Sequence, residues 1–382
     1  MRTKPRINPF PKTITALVLQ GGGALGAYQG GAFEALVASD TQPNWVAGIS
    51  IGAINAALIA GNAPEHRVER LRSFWERVSS GVPAPVGTSF ENGPLRGLAN
   101  GGAAMWAVLF GVPAFFSPRP GALLWPGAMP DPSYYDTSPL RQTLLDLVDF
   151  DRINQGDVRL TVSAVDVETG NFVDFDNHHQ TIGPEHIMAS GALPPGFPAV
   201  IIEGRAYWDG GLVSNTPLRY VVDNLSGDDV ATIYQVDLFS ARGPRPHTLE
   251  QVAERDKDIR YSSRTRMVTD LLAQRQEMHR RMRALADMLP AAKREQADVQ
   301  ALLEGTSDPA ITLVHLIHRH KGVDTQNKDY EFSGTSMREH WRMGLRDMHH
   351  SLNSLAKAPT ARRPGEFRVF DLTTQTPTKE TP

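Results

Sequence analysis

Residues 44–61 read NWVAGISIGAINAALIAG. NWVAGIS is an apolar run of strand length, and IGAINAALIAG reads as a helix closed by Gly61. Between them stands GISIG, residues 48–52, a Gly-x-Ser-x-Gly at a strand-to-helix turn. In such an elbow the serine sits in a strained turn, so small residues must flank it, and its Oγ projects at the helix N-terminus. The helix dipole there favours an alkoxide and the oxyanion that follows from its attack. The five-residue pattern alone occurs by chance in many proteins. The strand before it and the helix after it single out Ser50 as a candidate nucleophile.

Upstream, TITALVLQ is a short β-rich run that stops at three glycines, and ALGAYQGGAFEALVAS then has helical spacing. Two successive strand–helix units predict an α/β fold, a mostly parallel central sheet sandwiched by helices. QGGGALG, residues 20–26, lets backbone N–H groups point into one cavity, which suits an oxyanion or a phosphate. Gly21, Gly23 and Gly26 also satisfy the dinucleotide pattern, but that reading needs an acid at the end of the second strand. The strand ends in Gly48, Ile49 and Ser50, and the nearest acid, Asp40, lies before it begins. The nucleotide reading fails its own test.

Downstream, VRLTVSAVDV and FVDFD read as strands, EHIMAS as a short helix opened by Pro184, and VIIEGRAYWDGG as a hairpin running into a glycine turn. ATIYQVDLF is a last central strand. Asp209, in WDGG, has a plain reading as a turn residue. It gains interest because it can supply the base that Ser50 lacks.

QGGGALG, GISIG, ASGALPPGFP and WDGGLVSNTP, in that order, closely resemble the bacterial patatin-like phospholipases from about Ile14 to Phe239. YSSRTR and DYEFSGTSMREHW further resemble a helical C-terminal extension carried by one bacterial branch. The resemblance implies a Ser50–Asp209 dyad without histidine, an oxyanion hole from Gly21, Gly22 and Gly23, and no cofactor or metal. It implies a phospholipase A, lysophospholipase or other carboxylic ester hydrolase working through an acyl-enzyme. Acyltransfer, thioester hydrolysis and short-polyester hydrolysis are alternatives on the same site, and an inactive lipid-binding or scaffold protein is another. Two positions depart from the family pattern: Leu25 stands where Arg or Lys is common, and Gln20 where some members carry Asp.

The chain has 382 residues, a net charge of −3 and no cysteine. That excludes disulfides, thiolate metal sites and cysteine nucleophiles, and gives no general reason to expect nucleic acid as a partner. The expected organisation is a flexible tail at 1–12, an acyl hydrolase domain at 13–240, a mainly helical extension at 241–370 and a disordered tail at 371–382. The basic N-terminus is broken by Pro5, Pro9 and Pro11 and lacks the apolar core of a secretory signal, so the expected location is cytoplasmic, with peripheral contact at the inner membrane surface. Lipid or acyl ester is the expected partner, and the sequence leaves the oligomeric state open.

No charge appears between Arg96 and Arg119, yet the apolar part falls short of the ~20 residues a membrane span needs. This segment, with Met105, Trp106, Leu109, Phe115 and Phe116, is expected to pack over or beside the cleft and supply an acyl pocket. Leu271, Met278, Met282, Leu285 and Leu289 form a helical stripe expected to pack on the body. His315, His318 and His320 read as core or edge histidines rather than metal ligands.

Overall fold

β1 (Thr13–Leu19) is apolar at almost every position because both of its faces are covered. Ile14, Ala16 and Val18 join the core on one side of the sheet, and Leu17 and Leu19 the core on the other. The computed structural model describes residues 13–82, 94–119, 132–306, 308–319 and 328–372, with the side chains of 94–100 and 263–265 excepted. The tail expected at 1–12, most of that expected at 371–382, and His320 lie outside the described residues.

After β1 come α1 (Ala27–Ala38), β2 (Trp45–Gly48), α2 (Ile51–Ala60), α3 (Arg67–Ser79) and α4 (Pro94–Phe110). β3 (Ser117–Pro118) and β4 (Tyr135–Asp136) form a small antiparallel pair, followed by α5 (Ser138–Leu147) and α6 (Phe150–Gln155). β5 (Arg159–Asp166), β6 (Phe172–Asp176), α7 (Pro184–Ser190), β7 (Val200–Ile202), β8 (Arg205–Asp209), α8 (Leu218–Asp223) and β9 (Val230–Asp237) complete the first part of the chain. The second part holds α9 (Leu249–Asp287), α10 (Ala291–Arg294), α11 (Ala297–Leu303), β10 (Ala310–Ile317), α12 (Gly334–Leu355) and β11 (Phe367–Asp371).

The main sheet runs β11-β10-β9-β1-β2-β5-β8-β7, with β6 also on β5. It is parallel from β11 to β5; the pairings of β6, β7 and β8 are antiparallel. Residues of α1, α2, α3 and α12 fill the core on one face, and those of α8 and α9 the core on the other. This is the mostly parallel sheet between helices that the two strand–helix units predict, followed by a mainly helical C-terminal region.

That region is built into the fold. β10 pairs with β9 and β11 with β10, and α12 lies directly on α1. A Cβ on Gly31 would sit 1.9 Å from the Trp341 carbonyl oxygen, and one on Gly344 equally close to that of Tyr28. Only glycine lets the two helix backbones touch in this way.

Most of the stripe expected to pack on the body faces away from it, although Met282 is half-buried, as is Leu289 just past the end of α9. Leu271, Met278 and Leu285 are exposed, and the helix instead packs through Leu272, Gln276, His279 and Ala286. Gln276 Nε2 donates to the Pro309 carbonyl at 3.4 Å, and His279 Nδ1 lies 3.0 Å from Asp308. Hydrophobic periodicity misses a helix face anchored largely by polar side chains. No helix among the described residues is long and apolar enough to cross a membrane.

Candidate active site

β5 brings the two candidate reacting groups together. β2 pairs along it as far as Gly48 opposite Val162, and β8, running the other way on the same edge, ends with Asp209 opposite Ala164. The carboxyl ends of β2 and β8 therefore face each other across two residues of β5, about 7 Å. Ser50 leaves the first end and Asp209 terminates the second.

Ser50 has φ +56° and ψ −125°, a backbone that an L-residue holds only under constraint. The flanking glycines of GISIG are required by space. A Cβ on Gly48 would lie 2.2 Å from the Gly52 carbonyl oxygen, and one on Gly52 would lie 2.3 Å from that of Leu19. The Ser50 N–H donates to Ser190 at the end of α7, with Oγ and the carbonyl oxygen each at 3.1 Å. Ser190 Oγ in turn donates to the Ser163 carbonyl on β5 at 2.7 Å. The elbow is thereby tied to β5, the strand on which β8 and its Asp209 pair.

Asp209 is buried, accepts from the Gly211 N–H at 2.7 Å and has the Ser50 hydroxyl near enough to favour its ionised form. Burial pushes its carboxyl up to about 6, against the opposing pull of those two donors. A carboxylate at this value is a better match to a proton-transfer role near neutral pH than one at its ordinary 3.8.

The glycine loop divides. The Gly21 N–H donates to the Asn215 carbonyl at 3.3 Å, and Asn215 Nδ2 returns a bond to the Gly21 carbonyl at 3.0 Å. The N–H groups of Gly22 and Gly23 have no acceptor among the described residues. Gly23 has φ +54°, and a Cβ there would meet the Asp329 carbonyl oxygen at 2.2 Å. Gln20 anchors the start of the loop. Its Oε1 accepts from the N–H groups of Leu238 at 2.6 Å and Phe239 at 3.0 Å, and its Nε2 donates to the Tyr261 carbonyl at 3.2 Å. An aspartate at this position could accept but not donate. Leu25 is fully buried in the core, so the position where the family often carries a cation holds packed hydrocarbon.

These groups open onto a cleft of about 880 Å³, its mouth included. Its far walls are aromatic: Phe115, Phe116, Phe197 and Phe332 all line it. Phe115 and Phe116 come from the charge-free segment, as expected. Met105, Trp106 and Leu109 do not line the cleft; they are exposed on α4, a correction to the expectation that the whole segment packs there.

Sequence reasoning missed Asn215 and the four lining residues from the C-terminal region: Tyr261, Asp329, Tyr330 and Phe332. Tyr261 opens YSSRTR, and the other three lie in DYEFSGTSMREHW. The signal was in the quoted motifs, but nothing in spacing or residue type tied it to Ser50. No histidine lines the cleft among the described residues. His315 Nδ1 lies 3.3 Å from Asp237, and the His318 ring packs 4.8 Å from that of Tyr28. Among the described residues no group of His, Cys, Asp or Glu is placed to hold a metal ion.

A family model described as patatin-like phospholipase matches residues 17–222, and one described as patatin phospholipase matches residues 259–364. No curated protein matches the chain. Among solved structures, VipD from Legionella pneumophila is similar at 14% identity and a TM-score of 0.39, over 90% of this chain and 67% of that one. The type III effector ExoU is similar at 14% and 0.34, over 90% of this chain and 53% of its own, so this chain spans about half of ExoU. A chain of the SpcU–ExoU complex from the type III secretion system of Pseudomonas aeruginosa is similar at 15% and 0.26, over 93% of this chain and 76% of that one. With one family model covering more than half of its length and a second lying on the C-terminal region, the chain belongs to the patatin-like phospholipase family of lipid-hydrolysing enzymes.

Proposed function

We propose that the protein is a serine-nucleophile lipid acyl hydrolase in which Ser50 and Asp209 form the whole proton-transfer machinery. The observation that carries the proposal is Ser50 at its strained elbow lining one cleft with a buried carboxyl raised to about 6, beside two backbone N–H groups that have no acceptor among the described residues.

Ser50 Oγ attacks the ester carbonyl carbon while Asp209 takes the hydroxyl proton. The carbonyl oxygen becomes an oxyanion and is held by the N–H groups of Gly22 and Gly23, where one such donor is worth roughly 3 kcal/mol. Gly21, whose N–H is already bonded, shapes the loop and does not donate to the oxyanion. The intermediate collapses, Asp209 returns the proton to the departing alkoxide, and the acyl group stays on Ser50. A water molecule, deprotonated by Asp209, then attacks the acyl-enzyme carbonyl; the Oγ–acyl bond breaks, Asp209 gives that proton to Ser50 Oγ, and the fatty acid leaves. The aromatic walls suit a hydrocarbon chain, each buried CH₂ contributing about 0.8 kcal/mol.

That no histidine lines the cleft among the described residues favours this dyad over a three-residue arrangement. The test is labelling with a fluorophosphonate probe, followed by product analysis on phospholipid, lysophospholipid and short-chain esters. Labelling at Ser50 with release of free fatty acid is expected. Absence of labelling on a folded protein would turn the reading to a lipid-binding or scaffold role. Labelling with acyl transfer to an added alcohol, and no free acid, would make it a transferase.

A further inference from the structure

α4 is built inside out. Its small residues face the protein, with Ala103, Ala104 and Ala107 at most 5% exposed. Its large ones face outward: Met105, Leu109 and Phe110 are 57–60% exposed, and Trp106 and Val108 are 40–42% exposed. A helix that packs on its own core puts the large apolar side chains inside, because they return most on burial. Five large apolar side chains in six consecutive residues are also more than the scattered exposure normal for a surface.

The exposed face is continuous with the wall of the cleft. The Trp106 and Phe110 rings pack with centroids 4.3 Å apart and planes tilted by 37°. The Tyr135 hydroxyl donates to the Val108 carbonyl at 2.7 Å, and the Tyr135 ring packs 4.8 Å from Phe116, which lines the cleft. α4 also packs against residues 328–330, of which Asp329 and Tyr330 line the cleft. Tyr135 and residues 328–330 thus link α4 to the aromatic wall.

The chemistry of the face selects its occupant. From Gly101 to Phe110 the helix carries no charged side chain and no polar one except the Trp106 indole N–H. A protein partner would be met with about one hydrogen bond per 100–200 Å², and this face has almost nothing to make one with. Hydrocarbon asks for none. The helix is not long and apolar enough to cross a bilayer, so it suits one that lies in the interface with its apolar face inserted. We propose that α4 is a bilayer-docking helix, which inserts Met105, Trp106, Leu109 and Phe110 among phospholipid acyl chains and sets the cleft against the lipid surface. The proposal deepens the lipid-hydrolase reading by naming where the substrate comes from.

The experiment uses the full chain carrying Ser50→Ala, so that vesicles survive, and phosphatidylcholine vesicles as the probe. Co-flotation with vesicles is expected, unchanged at high salt because no charge on the face takes part. Leu109→Asp with Phe110→Asp should weaken partition by on the order of a hundredfold or more. Both side chains are exposed, so the fold should survive, as circular dichroism will check. Brominated acyl chains should quench fluorescence in the parent, and Trp106→Phe should remove most of that quenching. In a chain with Ser50 intact, the double variant should hydrolyse a soluble short-chain ester as before and lose vesicle lipid. Equal flotation of parent and double variant, or no flotation of the parent, would overturn the proposal. So would a parent that is dimeric without vesicles and a double variant that is monomeric, since a second copy would then cover the face. Flotation does not depend on Ser50, so its failure and a failure of Ser50 labelling are separate results.

Discussion

Residues 13–239 hold Ser50 and Asp209 by strand ends, glycine contacts and backbone hydrogen bonds, whereas residues 249–372 reach the same cleft through side chains. On the first side, β2 and β8 meet along β5, and the Ser50 and Gly211 N–H groups fix the two residues of the proposed dyad. On the second, Asp329, Tyr330 and Phe332 are held near the glycine loop by ion pairs. Lys328, with its side chain 1% exposed, lies 2.7 Å from Asp258 and 3.5 Å from Glu254, both on α9. Lys257 lies 2.7 Å from Asp329. Backbone geometry tolerates little adjustment, and side-chain ties can be exchanged. The difference teaches where chemistry and selectivity should separate: variants on the first side should stop turnover, and variants on the second should change which esters are turned over.

The largest effect is expected at Ser50. Ser50→Ala should lower kcat by on the order of 10⁴-fold or more for every ester, long or short. Its unfolding transition should stay close to that of the parent. Steady-state kinetics over a chain-length series checks this, and normal turnover by the folded variant would remove the proposed mechanism.

Asp209→Asn should cost on the order of 10³-fold or more in kcat, again irrespective of chain length, since the amide keeps the size and loses the basicity. It should also raise stability. The Asp209 carboxyl titrates at about 6 in the folded protein against an ordinary 3.8, so its protonated form is favoured by folding. The stability it contributes is fully present below about 4 and is lost as pH rises through about 6, which leaves a cost of about 3 kcal/mol at pH 7. Urea unfolding across pH 4–7 should show a fall in stability that is shallower in the variant by the share of Asp209, while Asp174, whose carboxyl burial also raises to about 6, keeps its own share in both. In the parent, kcat/KM should rise with pH through about 6, because only the ionised carboxylate can take the Ser50 proton. If stability at pH 7 fell on substitution, the burial argument for Asp209 would be lost.

How far each side was legible follows from the same physics. GISIG, QGGGALG and WDGG could be read because each is a short backbone device: the glycines of GISIG and Gly23 meet other backbone atoms at 2.2–2.3 Å, and no other residue type fits. The commitment of the Gly21 N–H to Asn215 could not be read, since it depends on a loop nearly two hundred positions away. The face of α9 was misread because polar residues such as Gln276 and His279 anchor its inner side, which an apolar stripe does not report. α4 was misread for the opposite reason. Its apolar residues were recognised, but apolar composition does not say that the alanines turn inward and the large side chains outward.

Lys328→Met should produce the next effect. It keeps most of the volume and removes the cation, which leaves Asp258 buried beside an uncharged neighbour. Breaking a buried pair in this way costs about 3 kcal/mol. Thermal unfolding should report that loss, and KM for a long-chain ester should rise while kcat on a short reporter is retained. If kcat fell for both, the ties around 328–330 would belong to the chemistry as much as the strand ends do, and the division between the two regions would fail.

The smallest effect is expected at Phe332. Its ring is buried, lines the cleft and packs with its centroid 5.8 Å from that of Phe115. Leucine at this position is apolar and fills most of the same space, so it should destabilise the fold by less than about 1.5 kcal/mol. What it removes is the flat aromatic surface at a point where the wall from the charge-free segment meets the wall from the C-terminal region. An acyl chain long enough to reach that junction should lose a contact worth about 1 kcal/mol, a three- to tenfold fall in kcat/KM. An ester too short to reach it should react as before. The chain length at which the parent and Phe332→Leu diverge would then measure the distance from Ser50 to the junction, in methylene units. Equal losses at all lengths would show that Phe332 supports the site without touching the acyl chain, and the C-terminal region would have to select substrates through Tyr261 and Tyr330 instead.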